Sequence, residues 1–354
     1  MNMNTYTASV VGCGAGGKYS LAAYAASPHY RLTAACDLKK DALEAIKTLY
    51  PEISIYQNHE QMFAESPTDV VSVSTFPPTH LPITLTALKE PLKGILVEKP
   101  LADTAAAGGR ILDAVKTRGL PIVVPHSWLA RDVSQEIKRI VETGGIGRLL
   151  LMEVQCRKWD IISAGIHWVH FFLSVISREP VMFVMAASDT STRTYRDGMQ
   201  VETMAITYVQ MESGIRLVMQ TGDDTQVARG TTLFRLYGES GSINWFLGEP
   251  YFTLRNIDNP AGVRKSPSVT DPRKPHQRYL DSLAEQIDSG RYDYSIPDLS
   301  QTALEICEAA CVSANSRCRI SFPYQSFVVP ADTGWRLGKP YSGTGGGRDG
   351  RTLP

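Results

Sequence analysis

The stretch Val10-Val11-Gly12-Cys13-Gly14-Ala15-Gly16-Gly17 constrains the fold more than any other part of the 354-residue chain. It closes an apolar run, Ala8 to Val11, and opens a helix-like segment, Lys18 to Ala26, so a strand, a glycine turn and a helix start come in quick succession. Gly12 permits the turn, Gly14 leaves room for the backbone to approach a pyrophosphate, and Gly17 lets the helix pack closely on the strand. The open N–H groups at Gly14, Ala15 and Gly16, with the positive end of the helix dipole, favour an anion there. A lone G-x-G-x-x-G also describes a plain turn, and the residues beyond Gly17 decide between the two.

A second strand, Tyr30 to Cys36, stops at Asp37. That carboxylate lies about 20 residues past the turn, where it accepts from the ribose hydroxyls of an adenosine. It favours NAD over NADP, whose 2′-phosphate would meet like charge, although Lys39 and Lys40 soften the repulsion. The competing reading makes Asp37 the N-cap of a helix from Lys39 to Leu49. Strand and helix then alternate through Ile53 to Tyr56, His59 to Glu65, Asp69 to Thr75 and Gly94 to Val97, which predicts a parallel sheet with right-handed crossovers. Ligands bind such sheets at the carboxyl ends of the strands. That rule selects Thr75, Pro77 and His80 after one strand, and Glu98 and Lys99 after the next. The proline after Lys99 stiffens the backbone that carries its ammonium. A helix from Thr104 to Thr117 and a strand from Pro121 to Val124 would close a first domain, residues 1–124.

Lys plus Arg and Asp plus Glu number 36 each, so no global field draws the chain to nucleic acid or to an anionic membrane, and a small-molecule ligand is expected. No apolar run approaches the roughly 18 residues of a membrane span, and the N-terminus does not read as a secretory signal, so a cytoplasmic location is expected. The six cysteines lack metal-ligand spacing and read as reduced thiols.

Residues 125–338 read differently. A helix from Arg131 to Thr143 stops at Gly144-Gly145, and a strand runs from Leu149 to Gln155. Strand-like runs come next at 181–187, 201–211, 215–221, 231–237, 242–246 and 251–254, joined by short turns, which argues for a mostly antiparallel sheet. Two late helices, Gln277 to Asp288 and Leu299 to Ser316, are expected beside that sheet, and residues 339–354 form a flexible Gly-rich tail. Between the first strands lies Asp160 to Leu173. On a continuous helix Ser163, His167, His170 and Ser174 share one face, opposite Val169, Phe172, Leu173 and Ile176. No Asp, Glu or Cys joins the histidines at ligand spacing, so no metal is expected.

Gly12-x-Gly14-x-x-Gly17, the strand-end Asp37, the Pro-Thr-His80 turn and Glu98-Lys99-Pro100, in this order, resemble the Gfo/Idh/MocA family of glucose-fructose oxidoreductase and inositol dehydrogenase relatives. The resemblance implies an α/β chain: an N-terminal Rossmann domain that binds NAD, then a C-terminal α+β domain whose large, mostly antiparallel open sheet makes a homodimer or homotetramer. It also implies that Lys99 reaches the substrate hydroxyl and the nicotinamide, and that His80 lies near the nicotinamide pocket. The family's helix pattern D-x-G-x-H-x-x-D corresponds here to Ser163, Gly165, His167 and His170, so both carboxylate positions have changed. By the resemblance His167 is the general acid or base, a role that suits an imidazole. Three readings compete: Lys99, His167 and His170 carry catalysis; Asp160 swings into the gap left at Ser163; or the site is silent and only binds a dinucleotide. Trp128 and Trp159 suit the face of a sugar, and Arg131, Arg157 or Lys158 an acidic substituent. The expected activity is hydride transfer between a secondary hydroxyl of a sugar-like substrate and NAD. The alternative is redox-assisted glycoside cleavage, in which the cofactor is reduced and then reoxidised within one cycle.

Overall fold

The computed structural model describes residues 4–176, 179–192, 194–268 and 270–325, so the tail expected at 339–354 lies outside the described residues. The chain divides into two compact units. One holds the residues up to Ser127 together with Pro272–Gln301; the other holds Trp128–Asp271 and the residues from Thr302 on.

The first unit alternates β1 (Tyr6–Val11), α1 (Ala15–Ala26), β2 (Tyr30–Cys36), α2 (Lys40–Leu49), β3 (Ser54–Tyr56), α3 (His59–Glu65), β4 (Val70–Val73), α4 (His80–Ala87), β5 (Gly94–Val97), α5 (Ala105–Arg118) and β6 (Ile122–Val123). All pairings are parallel, in the order β3-β2-β1-β4-β5-β6. This is the Rossmann order, and its direction reverses between β1 and β4. Strands β4 and β5 are short runs of buried residues, as strands covered on both faces must be. Helix α5 shows how local chemistry fixes an end: Thr104 accepts from the Ala107 N–H at its start, and Gly119 closes it in the left-handed region at φ +67.

The second unit contains α6 (Asp132–Glu142), β7 (Leu149–Arg157), α7 (Ile166–Val175), β8 (Val181–Asp189), the hairpin β9 (Tyr195–Arg196) and β10 (Met199–Gln200), then β11 (Met204–Met211), β12 (Arg216–Gly222), β13 (Thr232–Gly238), β14 (Ser242–Phe246), β15 (Phe252–Asn256) and β16 (Asn259–Lys265). Its sheet runs β16-β15-β14-β13-β7-β12-β11-β8-β17, with β17 at Ile320–Ser321. Every pairing is antiparallel except β7 with β12. Period-2 patterning sorts the faces. Met152, Val154, Leu217, Met219, Phe234 and Trp245 point into the core, whereas Met185, Ile206 and Tyr237 are exposed on the other side.

Two further helices are α8 (Pro275–Ser289) and α9 (Ser295–Ser316). The expectation that both lie beside the antiparallel sheet fails for α8, which packs on α1, β5 and β6 of the first unit. Its apolar stripe, Tyr279, Leu280, Leu283 and Ala284, has the right spacing for a core helix, but spacing does not say which surface it covers. Gly94 decides. A Cβ there would stand 3.0 Å from Ile287 Cδ1 and 3.1 Å from Leu283 Cδ1, so the missing side chain lets the helix close on β5. The Tyr30 hydroxyl donates to Leu280 O at 2.6 Å and Ser27 Oγ to Asp281 Oδ1 at 2.6 Å. The first unit therefore runs to Ser127, not to residue 124, and takes back Pro272–Gln301. Among the described residues no helix is long and apolar enough to cross a membrane.

Candidate active site

In the first unit the glycine turn joins β1 to α1 at the reversal of strand order. Gly12 has φ +95, and a Cβ on it would lie 2.4 Å from Ser74 O, so only glycine fits between the ends of β1 and β4. A Cβ on Gly17 would stand 1.7 Å from Gly12 O. Around a Cβ on Gly14, by contrast, there is nothing within 4 Å, which leaves its backbone open to a ligand. Asp37 comes directly after β2, and its carboxylate is already fixed: Oδ2 accepts from the Cys13 N–H at 2.7 Å and Oδ1 from the Lys39 N–H at 2.8 Å. Lys39, not Asp37, is the N-cap residue of α2. An open turn at a helix N-terminus beside an anchored carboxylate suits the pyrophosphate and ribose of a dinucleotide.

Thr75 and Pro77 come after β4, and the Thr79 hydroxyl donates to Thr75 Oγ1 at 2.7 Å. His80 is fully buried behind this turn, with Nε2 3.0 Å from Thr75 O and Nδ1 3.2 Å from Leu101 O. Burial holds its pKa below that of an ordinary imidazole, although the two carbonyls act in the opposite direction. A neutral ring donates to only one of those carbonyls, so His80 braces the turn from behind. Glu98 is buried after β5 and Lys99, next to it, is half-buried. His276, from the start of α8, places Nε2 2.7 Å from Glu98 Oε1. Burial opposes ionisation of Glu98, but His276, and after it Lys99, hold the carboxyl below the usual range.

In the second unit the segment expected to form one amphipathic helix does not. Ile161–Gly165 make a single π turn and the α-helix starts at Ile166, so Ser163 is not one α-helical turn ahead of His167. Every residue from Ile161 to Val175 is buried, including the expected polar stripe. His167 keeps 7% exposure and His170 none. An aromatic chain holds this helix: Trp128 and Trp168 centroids are 5.7 Å apart, His167 and Trp168 5.9 Å, and Trp168 meets Phe234 edge-on at 4.9 Å. Arg131 lies over Trp128 with Cζ 3.8 Å from the ring centroid. Trp159 is 41% exposed beneath Arg196, and Arg157 is exposed at the end of β7.

The acid next to Ser163 has structural work. Asp160 caps the π turn, Oδ1 accepting from the Ser163 N–H at 2.6 Å, while Oδ2 pairs with Arg196 Nη1 at 3.0 Å; both side chains are buried. To enter the gap left by the family's aspartate it would have to give up both partners. Glu202 lies beside it, accepting from the Ile161 N–H at 2.6 Å and from Thr221 Oγ1 at 3.1 Å. Burial, and then the Asp160 charge, push the Glu202 carboxyl up to about 8. Sequence reasoning singled out neither Arg196, Glu202 nor His276. Of the cysteines, five are buried and Cys318 is exposed, all free.

Residues 7–126 match a family model described as an oxidoreductase family with an NAD-binding Rossmann fold. Over these residues the chain is similar to the Gfo/Idh/MocA family. Inositol 2-dehydrogenase of Acidiphilium cryptum (strain JF-5) is 26% identical over 195 residues, 53% of this chain and 58% of its own length. The dTDP-3,4-didehydro-2,6-dideoxy-alpha-D-glucose 3-reductase of Streptomyces violaceoruber is 28% identical over 127 residues, 36% of each chain. These alignments span less than two thirds of either relative. Among solved structures, a levoglucosan dehydrogenase complexed with NADH and levoglucosan superposes with a TM-score of 0.77 at 14% identity, covering 90% of this chain and all of that one. The myo-inositol 2-dehydrogenase from Lactobacillus plantarum gives 0.74 at 16%, covering 90% and 99%. At such identities the likeness is one of fold. The Gly12–Gly17 turn lies within the residues matched by the NAD-binding Rossmann model, which supports a nicotinamide dinucleotide there.

Proposed function

We propose that the chain is an NAD-dependent dehydrogenase acting on a secondary hydroxyl of a sugar or polyol. The observation that carries this reading is the glycine turn with its open side at Gly14, set beside the anchored Asp37 and the strand end that bears Glu98-Lys99. Relatives named for inositol and deoxysugar oxidoreduction supply the substrate class. Asp37 selects NAD because a 2′-phosphate would face its charge.

When bound, the nicotinamide supplies the hydride acceptor. The Lys99 ammonium stabilises the developing alkoxide, and His167 takes the hydroxyl proton. Ser163 supplies no charge where the family carries an aspartate, so the acid–base work rests on imidazole. His170, fully enclosed, holds the helix behind His167. Trp128 with Arg131, together with Trp159 and Arg157, offers apolar faces and cations to a sugar with an acidic substituent. The exposed face with Met185, Ile206 and Tyr237 is the surface on which a second copy would dock to make a homodimer or tetramer.

Replacing His167 with alanine is expected to lower kcat about a hundredfold at neutral pH, while NAD affinity stays within about threefold of wild type. Steady-state kinetics with the best polyol, beside calorimetric titration of NAD, checks both halves. An unchanged kcat would remove His167 from the acid–base role.

A further inference from the structure

The most telling contact in the first unit joins residues 178 positions apart: His276 Nε2 to Glu98 Oε1 at 2.7 Å. Both side chains are buried. The other ring nitrogen, Nδ1, lies 3.2 Å from Ser127 Oγ, and the Tyr19 ring packs beside the imidazole at 5.2 Å. The carboxyl group lies close to the glycine turn, for a Cβ on Gly16 would come within 3.2 Å of Glu98 Cδ. Its second oxygen accepts from the Lys99 N–H at 3.2 Å.

This places an anion beside the helix N-terminus that is to receive another anion. A carboxylate free to turn would satisfy the open N–H groups of the turn itself and compete with the pyrophosphate. A charge-assisted hydrogen bond to a buried imidazole prevents that turn. Ser127 adds definition: its hydroxyl, 3.2 Å from Nδ1, holds the far edge of the ring and keeps Nε2 turned to Glu98.

We propose that His276 is a positioning residue of the dinucleotide site, holding the Glu98 carboxylate turned from the anion-binding turn and fixing the backbone that presents Lys99, with Ser127 anchoring the far edge of the ring. The inference rests on the dinucleotide reading of the turn. It concerns a residue that arrives from α8, outside every local motif of the first domain.

NADH is titrated calorimetrically into the full-length wild type, His276→Gln, His276→Asn, Glu98→Gln, the Glu98→Gln/His276→Asn double variant and Ser127→Ala, with thermal unfolding recorded for each. The glutamine amide N–H reaches the place of Nε2, whereas the shorter asparagine does not reach Glu98. His276→Asn is expected to weaken binding about tenfold, His276→Gln to stay within about threefold of wild type, and Ser127→Ala to weaken binding about threefold. In the Glu98→Gln background, where no charge competes, His276→Asn has little further effect. Equal losses in the glutamine and asparagine variants, or the same tenfold loss with and without the Glu98 charge, would overturn the proposal. If His276→Asn does not fold, the Ser127→Ala result decides, and wild-type affinity in that variant counts against it. Failure of the wild type itself to bind NADH removes the dinucleotide reading, a result distinct from any difference among variants.

Discussion

Gly17→Ala abolishes NADH binding, whereas Gly14→Ala leaves a fully folded protein that binds it weakly. The contrast comes from what each added methyl meets. At position 17 the Cβ would stand 1.7 Å from Gly12 O and 2.8 Å from Gly12 C, both main-chain atoms. Gly12 has little room to retreat, because it is held at φ +95 and even a Cβ on it would stand 2.4 Å from Ser74 O. The turn must open, and the N–H groups lose their common aim. At position 14 the methyl meets no protein atom within 4 Å and intrudes only on the space left for the ligand. We expect Gly17→Ala to weaken NADH binding more than about a hundredfold and to lower the melting temperature by several degrees. Gly14→Ala should weaken binding about tenfold with an unchanged melt. Calorimetry with NADH and a circular-dichroism melt separate the two.

The second large effect is on stability. Unfolded Glu202 ionises near its ordinary value of 4.5, whereas the folded chain keeps that proton up to about 8. Between these values the folded state binds one more proton than the unfolded state, so stability falls as pH rises through the window, by at most about 1.4 kcal/mol per pH unit. Glu202→Gln keeps an acceptor for the Ile161 N–H and Thr221 and removes the ionisation. The variant should match wild type near pH 5 and exceed it by several kcal/mol near pH 8. Urea unfolding monitored by tryptophan fluorescence reads the relevant unit, because every tryptophan lies at position 128 or beyond. Parallel curves for the two proteins across that range would mean Glu202 is ionised in the folded chain.

The first sheet was legible because each of its devices is local. A strand, a glycine turn and a helix start occupy adjacent residues, and Asp37, Thr75 and Lys99 lie just past strand ends that apolar runs mark clearly. The second sheet was legible in outline from period-2 patterning, although the hairpin β9–β10 and the strand β16 left too weak a pattern to predict. What stayed hidden depends on long-range packing. The π turn at Ile161–Gly165 shifts Ser163 out of the expected stripe, and its cap, Asp160 with Arg196 behind it, brings together residues far apart in sequence. Helix α8 carries an ordinary apolar stripe that says nothing of its partner, so neither its place on β5 nor the approach of His276 to Glu98 was readable from position.

The most direct test of the proposed dehydrogenase is to mix the purified chain with NAD and a panel of inositols, sugars, sugar acids and glycosides, recording both NADH absorbance and any released aglycone. Steady NADH accumulation with at least one polyol, lost on Lys99→Ala, is the predicted result. Tight NAD binding with no net reduction by any of them, or aglycone release without NADH accumulation, would contradict it.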